Sequence, residues 1–379
     1  RPNANLLTAM VAGNVADHRK MVVHVPMDRA QTAFADVRRP LVYRDALCGN
    51  KGGVGISFNF NETSMIFMGA HLAAHQEKIK IRNENVKEIV SGIKLGRKGI
   101  DIFNQFDHVF WMGDLNYRLD MDFDKCCALA QDPKNIKEMI KHDQLNAERE
   151  LGNIFNGFVE APIGFLPTYK YAPGTTNFDQ KKSRTPSYCD RILRKSFENT
   201  KVEQLEYTST NKILTSDHFP VRATFKLGTL RPFAGVFSDK PKHLRMLTFE
   251  TLFITGRPTS EIISKPVLFF YGNIVADGPI KSTKLSKTAN PRWSQSDLPA
   301  LVPLKHFTDW IKYQHIFIVL RDATDSKNIT IETAIAQCVL PMRHGLTTSK
   351  NKLRLPMYKS GIQVCFLEGN FEIVKQSME

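Results

Sequence analysis

The stretch "HVFWMGDLNYRLD", His108–Asp120, decides how this chain is read. An apolar run stops at Gly113-Asp114, and an amide, a phenol and an arginine follow within four residues. So short and apolar a run reads as a buried strand. Its end carries polar groups that a buried strand does not need. Asp114 and Asn116 stand two apart, and on an extended chain such positions point the same way. Asp114 could accept a proton or help hold a metal. Asn116 could donate to a phosphate oxygen or fix a water. The competing reading is a polar turn in which both satisfy backbone groups.

The chain has 379 residues, enough for two domains with sizeable cores. Its 52 Lys and Arg against 38 Asp and Glu leave a net charge of +14. That surplus favours an anionic partner: nucleic acid, an acidic membrane face or a polyphosphorylated small molecule. The six cysteines form no C-x-x-C pair and no zinc spacing, so reduced thiols in the cytoplasm are expected. The longest apolar runs, "VLFFY" and "IFIVL", are too short to span a bilayer as helices. The sequence opens at Arg1 rather than Met, and the true N-terminus is expected to lie further upstream.

Residues 54–70 predict a hairpin around "NET", and 77–95 an amphipathic helix with Ile79, Val86, Ile89, Val90 and Ile93 on one side. A helical period from Asp122 to about His142 is broken at Asp132-Pro133. Short strands are expected at "PTYKYA", "RILRKS", "KVEQLEYTS" and "PVRATFKL". This mixture predicts an α/β sandwich with its site along one rim. Residues 229–242, rich in Gly and Pro, read as a linker between a first domain, 1–228, and an all-β sandwich, 243–379.

Other stretches carry chemistry. In "TSDHFPV", Asp217 would hold the imidazole of His218 if the turn folds both into one site, favouring its charged form. A charged His beside a transferring phosphoryl group stabilises the developing negative charge. His71 ends the "SMIFMG" strand, as Asp114 ends its own. Between 167 and 193, Tyr169, Lys170, Lys181, Lys182, Arg184 and Arg191 concentrate donors and positive charge suited to phosphate. In "GNKGGV", around Lys51, clustered glycines let backbone amides approach an anion; the spacing is not that of a Walker A loop. Each stretch also has a plain reading: a capping Asp, a surface His, a solvated basic loop, a hairpin entry.

Taken in order, "GNKGGV", "HLAAH", "WMGDLNYR", "PTYKY", "PSYCDRIL" and "SDHFPV" resemble the inositol polyphosphate 5-phosphatases over roughly residues 40 to 227. The resemblance implies a DNase-I-like four-layer α/β sandwich and Mg²⁺-dependent hydrolysis of the 5-phosphate of phosphoinositides or soluble inositol phosphates. It implies that Asp114 aligns the attacking water, that Asn116, His71 and His218 hold the scissile phosphate, and that Asp217 orients His218. Tyr169 and Lys170 would bind the neighbouring 4-phosphate with Arg184 and Arg191, and Lys51 would join the substrate contacts. The apolar "LAA" after His71 would lie near the lipid chains.

The all-β part resembles a C2 domain at "TANPRW" and "LRDATDS", with Asp277, Asp322 and Asp325 as candidate cation ligands and a calcium-independent module expected. That order resembles the SH2-containing inositol phosphatases, which act mainly on phosphatidylinositol 3,4,5-trisphosphate. An acidic membrane surface would then be a partner, reached from the cytoplasm through the basic face and the C2-like part, with no nucleic acid. The pattern departs at one point. The family's metal-binding Gln-Glu is missing, no Glu precedes Glu62, and Asp17, Asp28, Asp36 and Asp45 do not match the motif. Either that glutamate lies upstream of Arg1, which we expect, or the protein is a degenerate, phosphoinositide-binding scaffold. A DNase-like nuclease is the remaining alternative, and "PTYKY" and "PSYCDRIL" argue against it.

Overall fold

The computed structural model describes residues 4–11, 21–24, 51–60, 62–97, 99–181, 183–198, 200–230, 243–272, 274–275, 279–325, 333–346 and 350–377. Asp17, Asp28, Asp36, Asp45, Gly49, Asn50, Lys182 and Asp277 lie outside them, as does the Asp325 side chain. The chain forms two compact units: Arg1–Leu95, Phe106–Ser196 and Thr200–Arg231 in one, and Gly96–Gln105, Phe197–Asn199 and Pro232–Glu379 in the other.

The described strands of the first unit are β1 (Ala4–Val11), β2 (Met21–His24), β3 (Gly52–Phe60), β4 (Thr63–His71), β5 (His108–Asp114), β6 (Asp190–Ser196), β7 (Val202–Ser209) and β8 (Val221–Gly228). Its helices are α1 (Ile79–Gly92), α2 (Phe123–Leu129), α3 (Ile136–Ile140) and α4 (Gln144–Glu150). One sheet runs β3-β4-β5-β6, the other β2-β1-β8-β7. Strand β5 is buried from His108 to Gly113 because both of its faces are covered, which explains its unbroken apolar run. Phe110 and Met112 enter the core between the sheets, while Trp111 turns the other way, against Phe155 at 5.4 Å.

Rings tie the sheets together. Phe67 stacks on Phe110 at 4.8 Å, and Phe110 meets Phe225 of β8 at 5.0 Å. Strand β8 alternates as a half-covered strand should, with Val221, Ala223, Phe225 and Leu227 inward and Arg222 and Lys226 exposed. Full burial of one such Phe contributes about 1.5–3 kcal/mol. Helix α1 covers the other face of the β3-β4-β5-β6 sheet. A Cβ on Gly53 would lie 2.5 Å from Ile89 Cγ2, so glycine lets the helix approach. These layers are those of the DNase-I-like sandwich.

Two local expectations are corrected. The helix predicted over 77–95 is shorter, and its covered side includes Arg82 and Asn83. Arg82 donates to the carbonyls of Ala73, His75 and Gln76 and to Gln144, so this buried cation shapes the loop after His71. The "PTYKYA" stretch forms no continuous strand. It makes isolated bridges, Tyr169 to Ser187 and His218 and Tyr171 to Phe178, because it crosses between elements rather than extending a sheet.

The second unit carries β9 (His243–Thr255), β10 (Pro266–Tyr271), β11 (Ile280–Lys281), β12 (Arg292–Ser294), β13 (His315–Asp322), β14 (Ala334–Pro341), β15 (Asn351–Lys359) and β16 (Ile362–Ser377). They pair antiparallel in the order β11-β10-β13-β14-β15-β16-β9-β12. Phe249 of β9 and Phe270 of β10 sit 5.3 Å apart although four strands separate them in that order, so the sheet folds over on one core. Trp293, from "TANPRW", is fully buried there. Asp322 departs from its candidate role. Its carboxylate accepts from the backbone of Ser264, Lys265 and Thr324 and from the Thr324 hydroxyl, closing a turn rather than waiting for a cation.

Candidate active site

The pairing register builds the site. Gly52 pairs with His71, His71 with Asp114, and Asp114 with Asp190, so one row crosses the rim of four strands. At its centre the chain must turn sharply. Gly113 holds φ +133°, and a Cβ there would lie 2.0 Å from the Ala70 carbonyl oxygen. Asn116 sits at φ +56°, in the left-handed region that Asn tolerates. Leu72 N donates to the Asp114 carbonyl at 3.0 Å, and Asn116 N donates to Asp114 Oδ1 at 3.1 Å. Turn and site therefore meet in one residue: Asp114 orders the backbone with one oxygen and presents the other at the rim.

That second oxygen faces two imidazoles. His71 Nε2 lies 3.1 Å from Asp114 Oδ2, and His218 Nε2 lies 3.9 Å from it. Lys51 Nζ is 2.6 Å from the same His71 nitrogen, which can give its proton to Asp114 or accept one from Lys51, but not both at once. Burial opposes ionisation of Asp114, yet the His71 hydrogen bond and the charges of His218 and Arg118 outweigh it and hold the carboxyl well below its usual range.

His218 is positioned by a residue outside its own motif. Its Nδ1 lies 2.8 Å from Asp190 Oδ2, and the same oxygen accepts from Thr168 Oγ1 at 2.7 Å. Burial disfavours the charged imidazole, but the charge and hydrogen bond of Asp190, with Asp114 and Asp217 behind them, push its pKa up to about 9. His218 is therefore an imidazolium at neutral pH. Asp217 does not orient it. Adjacent extended residues point oppositely, and Asp217 turns to Lys170, 3.6 Å away.

The basic stretch divides in two. Arg184 is exposed and donates to the Tyr169 hydroxyl at 2.8 Å. The Tyr169 ring lies 4.6 Å from His218 and is covered by the Arg118 guanidinium at 4.3 Å. Lys170 Nζ lies 2.6 Å from Asp179 Oδ2. Arg191, in contrast, is a correction: it has no exposed side chain and reaches Asp143 and Glu160 at 2.9 and 2.7 Å, so it braces α4 to β6 and presents no surface to a ligand. Asn116 is also more engaged than expected. Its Nδ2 donates to the Leu72 carbonyl and its Oδ1 accepts from Arg118, which leaves one amide hydrogen for a phosphate.

The sequence motifs assign no role to Asp190, Thr168 or Arg118. A carboxylate inside the apolar run "YCDRIL" is the available signal for Asp190, since a buried Asp needs partners. Asp190 Oδ1 is buried with no hydrogen-bond partner among the described residues. Among the described residues no group of three or more His, Cys, Asp or Glu forms a metal cage.

The α/β sandwich gathers Asp114, His71 and His218 on one rim, with Tyr169 packed on His218 and Arg184 bonded to Tyr169. A family model described as Endonuclease/Exonuclease/phosphatase family 2 matches residues 8–224, and the chain belongs to that family. The phosphatidylinositol 3,4,5-trisphosphate 5-phosphatase 2A of Danio rerio is 31% identical over 376 residues, covering 94% of this chain and 28% of that protein. The human phosphatidylinositol 3,4,5-trisphosphate 5-phosphatase 2 is 32% identical over 323 residues, covering 80% of this chain and 25% of that protein. The chain thus spans about a quarter of the length of these curated relatives. Among solved structures, the inositol polyphosphate 5-phosphatase domain of SPsynaptojanin, in complex with inositol (1,4)-bisphosphate and calcium ion, is 34% identical with a TM-score of 0.44. That match covers 50% of this chain and 54% of the other.

Proposed function

We propose that this protein hydrolyses the 5-phosphate of phosphoinositides, phosphatidylinositol 3,4,5-trisphosphate or 4,5-bisphosphate, by in-line attack of water. The carrying observation is the Asp114 carboxylate set between the imidazoles of His71 and His218, 3.1 and 3.9 Å away, with the Asp190 carboxylate 2.8 Å behind His218. Asp114 aligns the water and takes its proton. His218 donates to a phosphoryl oxygen as charge builds there, and the remaining amide hydrogen of Asn116 and the imidazole of His71 flank the same group. Positioning and electrostatics supply most of the acceleration. Tyr169, Lys170 and Arg184 form the side that meets a neighbouring phosphate.

The divalent cation in this reading is Mg²⁺. Phosphatases of this family are divalent-metal dependent. The oxygen-only donors Asp114 and Asp190 suit a hard cation. The surplus of 52 basic over 38 acidic residues supports recruitment from the cytoplasm to an acidic membrane, with the second unit as a C2-like, calcium-independent module. Binding to phosphatidylserine vesicles with and without calcium tests that part, and loss of binding in EDTA would overturn the independence.

The deciding experiment is phosphate release from phosphatidylinositol 4,5-bisphosphate and 3,4,5-trisphosphate with Mg²⁺, EDTA and Asp114→Ala as controls. Release that needs Mg²⁺ and Asp114 supports the reading. Binding without release by the full-length protein identifies a scaffold, and faster cleavage of plasmid DNA identifies a nuclease.

A further inference from the structure

Lys170 is more tightly held than a lysine that only waits for a phosphate. Its ammonium lies between two carboxylates, 2.6 Å from Asp179 and 3.6 Å from Asp217. Asp179 is itself fixed. Its Oδ1 accepts from Lys181 N at 2.9 Å, and its own N donates to the Lys170 carbonyl at 2.9 Å. The Tyr171–Phe178 bridge closes the segment between them, with the rings 4.6 Å apart, and Tyr171 stacks on Phe219 at 3.7 Å. Tyr171 N also donates to the Asp217 carbonyl at 2.9 Å. A long, flexible side chain is thus pinned to the segment that delivers His218.

We propose that Asp179 is a positioning residue for Lys170 and thereby sets the preference for substrates carrying a phosphate next to the one removed. This rests on the functional reading above and deepens it. An unanchored lysine samples many rotamers and must lose that freedom when a phosphate arrives. The 2.6 Å contact to Asp179 has already removed it, and two donors of the ammonium remain for a ligand. The side chain of Asp179 bonds to Lys170 and to the backbone of Lys181 rather than to His218, so its effect should depend on the neighbouring phosphate alone.

The test compares soluble ligands with and without that group, inositol 1,4,5-trisphosphate and inositol 1,5-bisphosphate, on the unaltered chain, Asp179→Asn and Asp179→Ala. Calorimetry reads binding, and phosphate release reads turnover. Both variants should weaken the 1,4,5-trisphosphate by roughly tenfold in Kd and KM, with kcat and the 1,5-bisphosphate unchanged. Equal loss on both ligands would mark Asp179 as merely structural and overturn the proposal. Tighter binding of the trisphosphate would also overturn it, because Asp179 would then compete with phosphate for Lys170. Binding needs no turnover, so a full-length protein that binds without hydrolysing would defeat the functional reading while this contrast is still decided.

Discussion

Asp190 Oδ2 lies 2.8 Å from His218 Nδ1, across 28 residues of sequence, and it rather than the adjacent Asp217 holds the imidazolium. Asp190→Asn should lower kcat by roughly 10²-fold or more, because the neutral amide no longer favours the charged form or fixes its tautomer. Asp217→Asn should lower kcat far less. Steady-state rates on phosphatidylinositol 4,5-bisphosphate check both, and equal losses would reject the assignment.

The pH profile follows from the same contact. The pKa of His218 is raised above its ordinary 6.5 to about 9, so the charged form persists below that value and is lost as pH rises through it. Activity should therefore fall on the alkaline side near pH 9. In Asp190→Asn that limb should move to lower pH. The stability the pair contributes has the same sign: it is complete below about pH 6.5 and disappears above about 9.

Arg191 is predicted to matter for folding rather than for substrate. Arg191→Met leaves Asp143 buried without its cation and Glu160 with only Arg149, 3.5 Å away, which costs about 3–5 kcal/mol. Urea denaturation should show the loss, while KM of the folded fraction stays unchanged. A raised KM with unchanged stability would restore the arginine to the substrate site.

Gly113→Ala tests the turn. The added Cβ meets the Ala70 carbonyl oxygen at 2.0 Å, and φ is +133°, so β4 and β5 must separate where His71 and Asp114 pair. The variant should lose more than about 2 kcal/mol of stability, with most of its activity. A thermal melt alongside phosphate release reads both.

Acid should destabilise both units through buried neutral histidines. Burial lowers the pKa of His108 to about 4 and that of His315 to about 3, below the ordinary 6.5. The unfolded chain then binds more protons, so stability falls as pH drops from 6.5 toward those values. Each histidine contributes a slope of about 1.4 kcal/mol per pH unit. His315→Phe should flatten the acid dependence of the second unit in a urea series from pH 7 to 5; an unchanged slope would count against this account.

Periodicity in the sequence is enough to place the hairpin before His71, the buried strand ending at Asp114 and the β-rich second half. Local pattern reaches its limit where function depends on distant pairs. Nothing in "SDHFPV" says that its histidine leans on the aspartate of "YCDRIL", and nothing in "KKSRTPSYCDR" separates exposed Arg184 from buried Arg191. Both arginines look alike in a basic run. Only the partners folded against them differ.

The sequence by itself determined which residue types stand at strand ends, and so the kind of chemistry available at the rim. It did so because side-chain alternation and turn-forming glycines act over a few residues. Tertiary structure decided which of those residues cooperate. The register that sets His71, Asp114 and Asp190 side by side is a property of three strands distant in sequence. The charge on His218 depends on carboxylates brought to it through space, a long-range term that no window of sequence contains.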